Sequence, residues 1–317
     1  MDKRKWLSGI MGVVVGDALG VPVQFMSRAE AKEKNVTGMV GYMTFNLPEG
    51  SWSDDSSMTL ATLSSMKARK CIDSEDIMKR FVDWYEDGEY TPYGYSFDIG
   101  QTCTQAILRY KNGYDRFQCG CKDENSNGNG SLMRIMPVCL FVYESVKHGT
   151  LAEEEGLNLI HEISALTHAH LRSQMACGFY YFLVKAILDE KGSLTERLQK
   201  GVDEAADFYY RDLANIFQVA YFERLFQLDE FADTAEEDIE SSGYVIDSIE
   251  AAVWSLITTD SYESALLKVI NLGEDTDTIG AIAGGLAGLY YGYDNIPKEW
   301  RDCIVKKEWI ENLCDFQ

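Results

Sequence analysis

The chain has 317 residues, 46% of them hydrophobic and 25% charged, and its formal net charge is −22. This composition supplies a large apolar core, and the excess of acidic groups argues against binding to a nucleic-acid backbone. Gly9, Gly12, Gly16 and Asp17 interrupt the apolar residues after the charged N-terminus, so we expect neither a signal peptide nor a membrane span.

Apolar residues at helical spacing dominate the chain. In chain order, helices are predicted over residues 3–20, from Ser74 onward, and over residues 171–189, 244–256, 262–272 and 279–292. Loops are predicted at residues 38–52, 111–130 and 191–196, and the acidic stretch 229–240 is expected to face solvent. No stretch sustains the period-2 alternation of a strand, so the pattern predicts an all-α fold.

Two of these helices carry glycines at regular spacing. The stripes are Gly9, Gly12, Gly16 and Gly20 in the first helix, and Gly280, Gly284, Gly288 and Gly292 in the last. Each glycine costs a helix roughly 1 kcal/mol relative to alanine, so four of them suggest that another backbone lies against the helix. Our hypothesis is that both helices are buried and adjacent, which simple close packing explains without a functional role.

Acidic clusters stand at the starts of two predicted helices. The first is Ser53-Asp54-Asp55, and the second runs from Glu274 to Thr278 with the sequence Glu-Asp-Thr-Asp-Thr. Helix capping explains either cluster taken alone, because Ser and Asp accept hydrogen bonds from the free N–H groups and suit the helix dipole. Three carboxylates in four positions exceed what a cap requires, and a buried helix start would need partners for them.

The two clusters together offer hard oxygen ligands without His or Cys, a set that suits Mg²⁺ or Mn²⁺ rather than Zn²⁺. One or two such ions would relieve the repulsion between the carboxylates. The predicted metal-binding residues are Ser53, Asp54, Asp55, Asp275, Asp277 and Thr278. Because clusters from opposite ends of the chain look like halves of one site, we expect a single domain over residues 1–317.

Two further motifs could contact an anionic ligand. Residues 127–134, Asn-Gly-Asn-Gly-Ser-Leu-Met-Arg, precede an apolar helix, where backbone N–H groups can cradle a phosphate. A flexible turn with a cap is the simpler interpretation, and Arg134 could pair with an acid in the core. His168 and His170 would point different ways on a helix, which does not suit a shared metal and leaves a structural role or a ligand contact for His168.

Together these motifs resemble the ADP-ribosylglycohydrolase family, which includes the dinitrogenase reductase-activating glycohydrolases. The matching stretches are residues 16–20, 52–56, 128–134, 167–168 and 273–278, so the resemblance covers nearly the whole chain. It implies an all-α, orthogonally packed helical bundle with a centre of two divalent cations, Mg²⁺ or Mn²⁺. It also implies that ADP-ribose or an ADP-ribosylated protein is the partner.

The resemblance assigns roles to individual residues. The metal ligands of the family fall on the six residues predicted above, and its ADP-ribose site falls on Gln24, Gly128, Asn129, Gly130, Ser131 and His168. The implied reaction hydrolyses the bond at ribose C1″ through a transition state that resembles an oxocarbenium ion. Asp55, with Asp54 beside it, is the candidate that activates the water.

Gln24 departs from the family pattern, since many relatives carry Glu near this point. Gln keeps a hydrogen-bonding oxygen but has no charge and cannot act as a base. The alternative to a hydrolase is therefore a weak or inactive ADP-ribose-binding protein. A structural role, as in the jellyfish lens crystallins that resemble the family, would not require six oxygen ligands. Hydrolysis of the pyrophosphate is a distant alternative, which release of AMP would reveal.

The eight cysteines are scattered along the chain, and Cys119 and Cys121 are too close for a Cys-x-x-Cys pattern. In a chain of this size, reduced thiols are the simplest interpretation. We therefore expect a cytoplasmic protein, and a monomer.

Overall fold

Helices form almost every regular element of the chain. A computed structural model describes residues 2–189 and 191–315, and within these ranges there are sixteen α-helices, eight 3₁₀ helices and no strand. The α-helices are α1 Lys3–Gly20, α2 Arg28–Lys34, α3 Asp54–Arg69, α4 Ser74–Asp87, α5 Gln101–Lys111, α6 Met136–Lys147, α7 Glu153–Ala165, α8 Leu171–Asp189, α9 Leu194–Tyr209, α10 Ile216–Val219, α11 Leu228–Ala232, α12 Val245–Ile257, α13 Tyr262–Ile270, α14 Thr276–Tyr291, α15 Lys298–Cys303 and α16 Lys307–Leu313. The predicted all-α fold is confirmed.

The predicted bounds of α1 and α8 are accurate, as are the predicted starts of α4 and α13, and the other bounds shift. Helix α14 begins at Thr276, three residues before the apolar pattern, because polar residues fill its first turn. Helix α9 begins at Leu194, since Ser193 and Glu196 form a capping box, so the predicted loop at residues 191–196 is shorter than expected. The loop at residues 38–52 contains no helix, as predicted.

The glycine stripes of α1 and α14 face each other, with the two helices antiparallel. A methyl group added to Gly16 would lie 2.0 Å from the carbonyl oxygen of Gly280, and one on Gly284 would lie 2.2 Å from that of Gly12. The hypothesis of two buried, adjacent helices is therefore confirmed. Gly9 instead faces the side chains of neighbouring helices, and Gly292 ends α14 at a φ of 87°.

This contact brings the C-terminal end of α1 to the N-terminal end of α14. The Thr276 hydroxyl donates to the Gly20 carbonyl at 2.8 Å, so the second acidic cluster lies beside the end of α1. Helix α3 starts at the same place, because backbone N–H groups at its start donate hydrogen bonds to Asp17 of α1. Three helix ends from distant parts of the chain therefore meet at one point.

Helix α1 and the 3₁₀ turn after it, Lys3–Val23, are long and apolar enough to cross a membrane, contrary to the expectation from the interrupting glycines. However, 94% of the most apolar window of this segment is buried inside the protein. A core helix has the same composition, so the segment is weak evidence for a membrane span.

Candidate active site and metal centre

The start of α3 is capped by a residue that sequence reasoning did not assign. The carboxylate of Asp17 accepts hydrogen bonds from the backbone N–H groups of Ser53, at 2.9 and 3.1 Å, and Ser56, at 2.9 Å, and from both hydroxyls. The Ser53 side chain makes no capping bond of its own. Because Asp17 satisfies the helix start, Asp54 and Asp55 are not required as caps.

The start of α14 also leaves carboxylates available. Asp275 stands at the N-cap position but its side chain makes no capping bond. Its two oxygens accept instead from the amide of Asn129 at 2.6 Å and from that of Gln24 at 3.5 Å. Asp277 accepts from the Thr278 N–H at 2.9 Å through one oxygen only. Capping therefore accounts for one oxygen of Asp277 but not for Asp54, Asp55 or Asp275.

The carboxylates form two overlapping groups. One oxygen each from Asp17, Asp55 and Asp277 lie within 4.8 Å of one another, and so do oxygens from Asp54, Asp98 and Asp277. The structure thus brings together Asp54, Asp55 and Asp277 of the predicted set and adds Asp17 and Asp98. Each group places three carboxylate oxygens close enough together to hold a cation.

The other predicted metal ligands lie around these groups. The Ser53 hydroxyl hydrogen-bonds Asp55 at 2.8 Å and Asp17 at 2.9 Å, so it contacts the cluster from the helix start. Asp275 lies beside Gln24 and Asn129, and with Thr278 it lines the adjacent cleft.

Burial and mutual repulsion perturb these carboxyl groups. Loss of hydration is the main cause that raises the pKa values of Asp54, Asp55 and Asp277 well above their ordinary range, and the neighbouring carboxylates add to it. Burial also raises the pKa of Asp98, and it raises that of Asp17 to about 6 despite four hydrogen-bond donors. In residues 2–189 and 191–315, no Lys or Arg forms a salt bridge with them. A bound cation would relieve both the repulsion and the loss of hydration that these pKa values reflect.

Three buried oxygens at this point have no hydrogen-bond partner. They are Oδ1 of Asp55, Oδ2 of Asp277 and Oε1 of Gln24. Buried polar atoms without partners are costly, and carboxylate and amide oxygens are the ligands that Mg²⁺ and Mn²⁺ prefer. The residues present therefore fit the divalent cations that the sequence predicts.

Gln24 holds one member of the cluster in place. Its amide nitrogen Nε2 donates to Asp98 at 2.7 Å and lies 3.5 Å from Asp275. Because both neighbours are carboxylates, the NH₂ group must face them, which identifies the unpartnered atom as the carbonyl oxygen. Asp98 has a φ of 55°, unusual for a residue other than glycine. No motif or spacing in the sequence pointed to Asp98.

A cleft of about 360 Å³ opens beside the carboxylates. Gln24, Phe25, Asp54 and Asp98 are among the residues that line it on the acidic side. The predicted ligand residues Gly128, Asn129, Gly130 and His168 also line it. Asp55 is fully buried and lies behind this surface. Residues predicted to bind cations and residues predicted to bind the ligand therefore line the same cavity.

His168 lies in the turn between α7 and α8 rather than on a helix, which corrects the sequence interpretation of residues 167–170. Its Nδ1 is 2.8 Å from the Thr167 hydroxyl, which accepts at 2.8 Å from Arg134. Burial, with Arg134 nearby, lowers the pKa of His168 to about 3, so the ring is neutral at pH 7. A methyl group on Gly130 would lie 2.9 Å from the ring, so glycine lets the loop pack on it.

Backbone hydrogen bonds connect the Asn-Gly-Asn-Gly loop to the start of α12. The N–H of Asn129 donates to the Gly243 carbonyl at 3.0 Å, so it is not free for a phosphate. The Ser131 hydroxyl is fully buried and accepts from Ser164 at 2.9 Å, which places it behind the cleft wall. Arg134 stacks on the Phe81 ring at 4.7 Å and, within the described ranges, forms no salt bridge with an acid, contrary to one expectation.

Comparisons with known proteins agree with this geometry. The sequence model of the family described as ADP-ribosylglycohydrolase matches residues 2–316. The chain is 32% identical to the ADP-ribosylarginine hydrolase Tri1 of Serratia proteamaculans, over 99% of this chain and 78% of that protein. It is 29% identical to the ADP-ribosyl-[dinitrogen reductase] glycohydrolase of Rhodospirillum rubrum, over 93% and 88%. A solved structure titled ADP-ribosylglycohydrolase-related protein complex is similar with a TM-score of 0.79, at 28% identity, over 98% and 96% of the two chains.

Proposed function

Because the chain belongs to the ADP-ribosylglycohydrolase family and is a glycosidase that acts on ADP-ribosyl groups, we propose that it is a divalent-metal-dependent hydrolase of arginine-linked ADP-ribose. Metal dependence is supported by the carboxylate oxygens of Asp55 and Asp277 that have no hydrogen-bond partner beside the cleft. The name of the Serratia relative, an ADP-ribosylarginine hydrolase, supports the arginine linkage.

The residues divide into two roles in this proposal. Asp55 and Asp277, both fully buried, would hold the cations together with Asp54, while Asp17 positions the start of α3. The cations, when bound, supply positive charge that orients the ribose hydroxyls and a water. The anionic diphosphate would extend toward the loop at residues 128–130 and the neutral ring of His168, which line the cleft with the acidic residues.

Asp98 is the carboxylate best placed to accept the proton of the attacking water. It lies on the surface of the cleft, Gln24 fixes its orientation, and its raised pKa brings it closer to neutral pH. Asp54 lines the same surface. This proposal moves the base from Asp55, which the sequence favoured, to a residue with access to substrate. The surrounding negative charge would stabilise the positive charge that develops at C1″.

The test is release of free ADP-ribose from arginine-linked and serine-linked substrates, with Mg²⁺ or Mn²⁺ and with a chelator. We expect release from the arginine conjugate that requires the metal and is lost in Asp55→Ala. Asp98→Asn should lower kcat by at least about 100-fold, since a positioned acid or base contributes roughly 10²–10⁴-fold. Normal turnover in the chelator would contradict metal dependence.

The alternative is an ADP-ribose-binding protein without turnover, and Gln24 is the observation that favours it. The family pattern has Glu near this point, whereas the amide of Gln24 cannot accept a proton. Saturable ADP-ribose binding without release, together with activity in Gln24→Glu, would support this alternative. Release by the unaltered protein would exclude it.

A further inference from the structure

One aromatic ring lines the cleft on its acidic side, and two further rings pack behind it in a row. Phe25 follows Gln24 in the chain, and Phe97 precedes Asp98. Phe45 lies between them, with ring centroids 6.0 Å from Phe25 and 5.2 Å from Phe97. The side chain of Phe25 lines the cleft and is 66% exposed. We call Phe25, Phe45 and Phe97 the aromatic ledge.

The backbone holds this ledge against the site. The Thr44 hydroxyl, next to Phe45, hydrogen-bonds the carbonyls of Pro22 and Gln24, each at 3.0 Å. The N–H of Phe25 donates to the Glu274 carbonyl at 2.7 Å. Phe25 has a φ of 65°, which is costly for a bulky side chain. A fixed, unfavourable backbone that exposes a large ring at a cleft is typical of a ligand contact.

Hydrogen-bond acceptors lie directly beside these rings. Asp98 follows Phe97 in the chain, lines the cleft and offers two carboxylate oxygens. A flat cation with several N–H donors matches this combination, because it can stack on an aromatic face while it donates to the acceptors at its edge. A guanidinium group has this shape and charge.

The charge distribution separates the two parts of the substrate. The diphosphate of ADP-ribose is anionic and would be repelled by Asp98, which stands next to Phe97 in the chain. Gly128, Gly130 and the neutral His168, which also line the cleft, carry no negative charge. The cationic part of an arginine conjugate is therefore the part that suits the ledge.

We propose that the aromatic ledge binds the guanidinium group of the acceptor arginine and so determines the preference of the enzyme for this linkage. The inference rests on the proposed function and adds the residues that select the substrate. A serine-linked acceptor has no cation and would gain nothing from the ledge.

The test compares Phe25→Ala and Phe25→Tyr, with Phe217→Ala as the control, because Phe217 is 82% exposed and does not line the cleft. The readouts are kcat and KM for ADP-ribosyl-arginine and for ADP-ribosyl-serine, and the Kd of free ADP-ribose by calorimetry. We expect Phe25→Ala to raise KM for the arginine conjugate about tenfold, within the range of cation–π contacts, and to leave the Kd of ADP-ribose unchanged. Phe25→Tyr keeps the aromatic face and should retain most of the affinity.

Two other outcomes would overturn the inference. If Phe25→Ala weakened the binding of ADP-ribose and of its arginine conjugate equally, the ledge would contact the adenine or the ribose. If it changed neither affinity, the ledge would have no part in binding. If the unaltered protein does not hydrolyse the arginine conjugate, the proposed function fails separately. Calorimetry then decides: a preference for the conjugate over ADP-ribose that Phe25→Ala removes supports the ledge, and equal affinities reject it.

Discussion

Gln24 links two carboxylates of the cluster through its side-chain amide. It donates to Asp98 and approaches Asp275, so it is a neutral bridge between two carboxylates. A glutamate at this position would add a third negative charge and remove both donors. The amide therefore stabilises the cluster when no cation is bound, at the expense of one charged ligand.

We predict that Gln24→Glu lowers the melting temperature in a chelator and that saturating Mg²⁺ recovers much of the loss. Leaving buried acceptors without donors costs about 1–3 kcal/mol, and like charges add to that cost. Thermal melts with chelator and with Mg²⁺ measure both effects. Gln24→Ala is the control, because it removes the donors without adding charge. Equal melting temperatures for Gln24→Glu and the unaltered protein in chelator would contradict the bridging role.

His168 makes the stability of the fold depend on pH. Burial lowers its pKa to about 3 in the folded protein, below the value of 6.5 of an unperturbed histidine. Its contribution to stability is therefore complete above pH 6.5 and is lost as the pH falls toward 3, because the unfolded chain binds the proton first.

We predict that the unaltered protein loses about 3 kcal/mol more unfolding free energy than His168→Gln between pH 7 and pH 4, since one pKa unit corresponds to about 1.4 kcal/mol. Urea unfolding across this pH range measures the difference. Glutamine keeps a polar side chain but does not titrate, so other buried groups affect both proteins alike. Parallel stability curves would show that protonation of His168 has no part in acid unfolding.

The sequence located the residues of the site where they are neighbours along the chain. Asp54 with Asp55, and Asp275 with Asp277, were recognisable because more carboxylates stood together than a helix cap needs. Asp98 was not, because it joins the cluster through a contact with Gln24, 74 residues away, and lies in a loop without periodicity. Such a contact depends on tertiary structure, which local patterns do not contain.

At the scale of elements, the regular glycine spacing predicted the contact between α1 and α14. The added methyl groups would meet backbone atoms, which cannot move aside as side chains can. Apolar spacing did not reveal that α14 starts at Thr276. The first turn is polar because it faces the carboxylate cluster, so the acidic motif and not the apolar spacing marked this helix start.

We predict that Gly16→Ala destabilises the protein by about 3 kcal/mol or more, the upper range for overpacked cores, because its methyl group would lie 2.0 Å from the Gly280 carbonyl oxygen. Gly9→Ala is the matched control in the same helix. Its methyl group would lie 3.1 Å from the nearest atom, a side-chain carbon of Leu289 that can shift. Chemical denaturation measures both variants, and similar losses would contradict the account of the helix contact.

At the scale of the whole molecule, residues far apart in the sequence build one site. Asp17 in α1, Asp55 in α3 and Asp277 in α14 come within 4.8 Å only because α1 and α14 pack along their length. The expectation that both acidic clusters serve one site agrees with this arrangement. The single domain, the monomer and the cytoplasmic location stay predictions.

The net charge of −22 and the buried carboxylates respond differently to ions in solution. General repulsion across the surface is relieved by any salt, because mobile ions screen exposed charges within about 10 Å at 0.1 M. The buried cluster is poorly screened and requires a cation that enters it. Divalent cations and salt should therefore stabilise the protein through separate groups.

We predict that Mg²⁺ or Mn²⁺ raises the melting temperature beyond an NaCl solution of equal ionic strength, because binding at 100 times Kd contributes about 2.7 kcal/mol. Asp277→Asn should abolish this excess, since Asp277 belongs to both carboxylate groups. Glu237→Gln makes the same change in net charge at an exposed position and should keep it. Asp277→Asn should also melt higher than the unaltered protein in chelator, because a buried carboxylate in a repulsive cluster has been removed. If Mg²⁺ raised the melting temperature of the two variants equally, the stabilisation would come from cations at the surface, and the cluster would bind none.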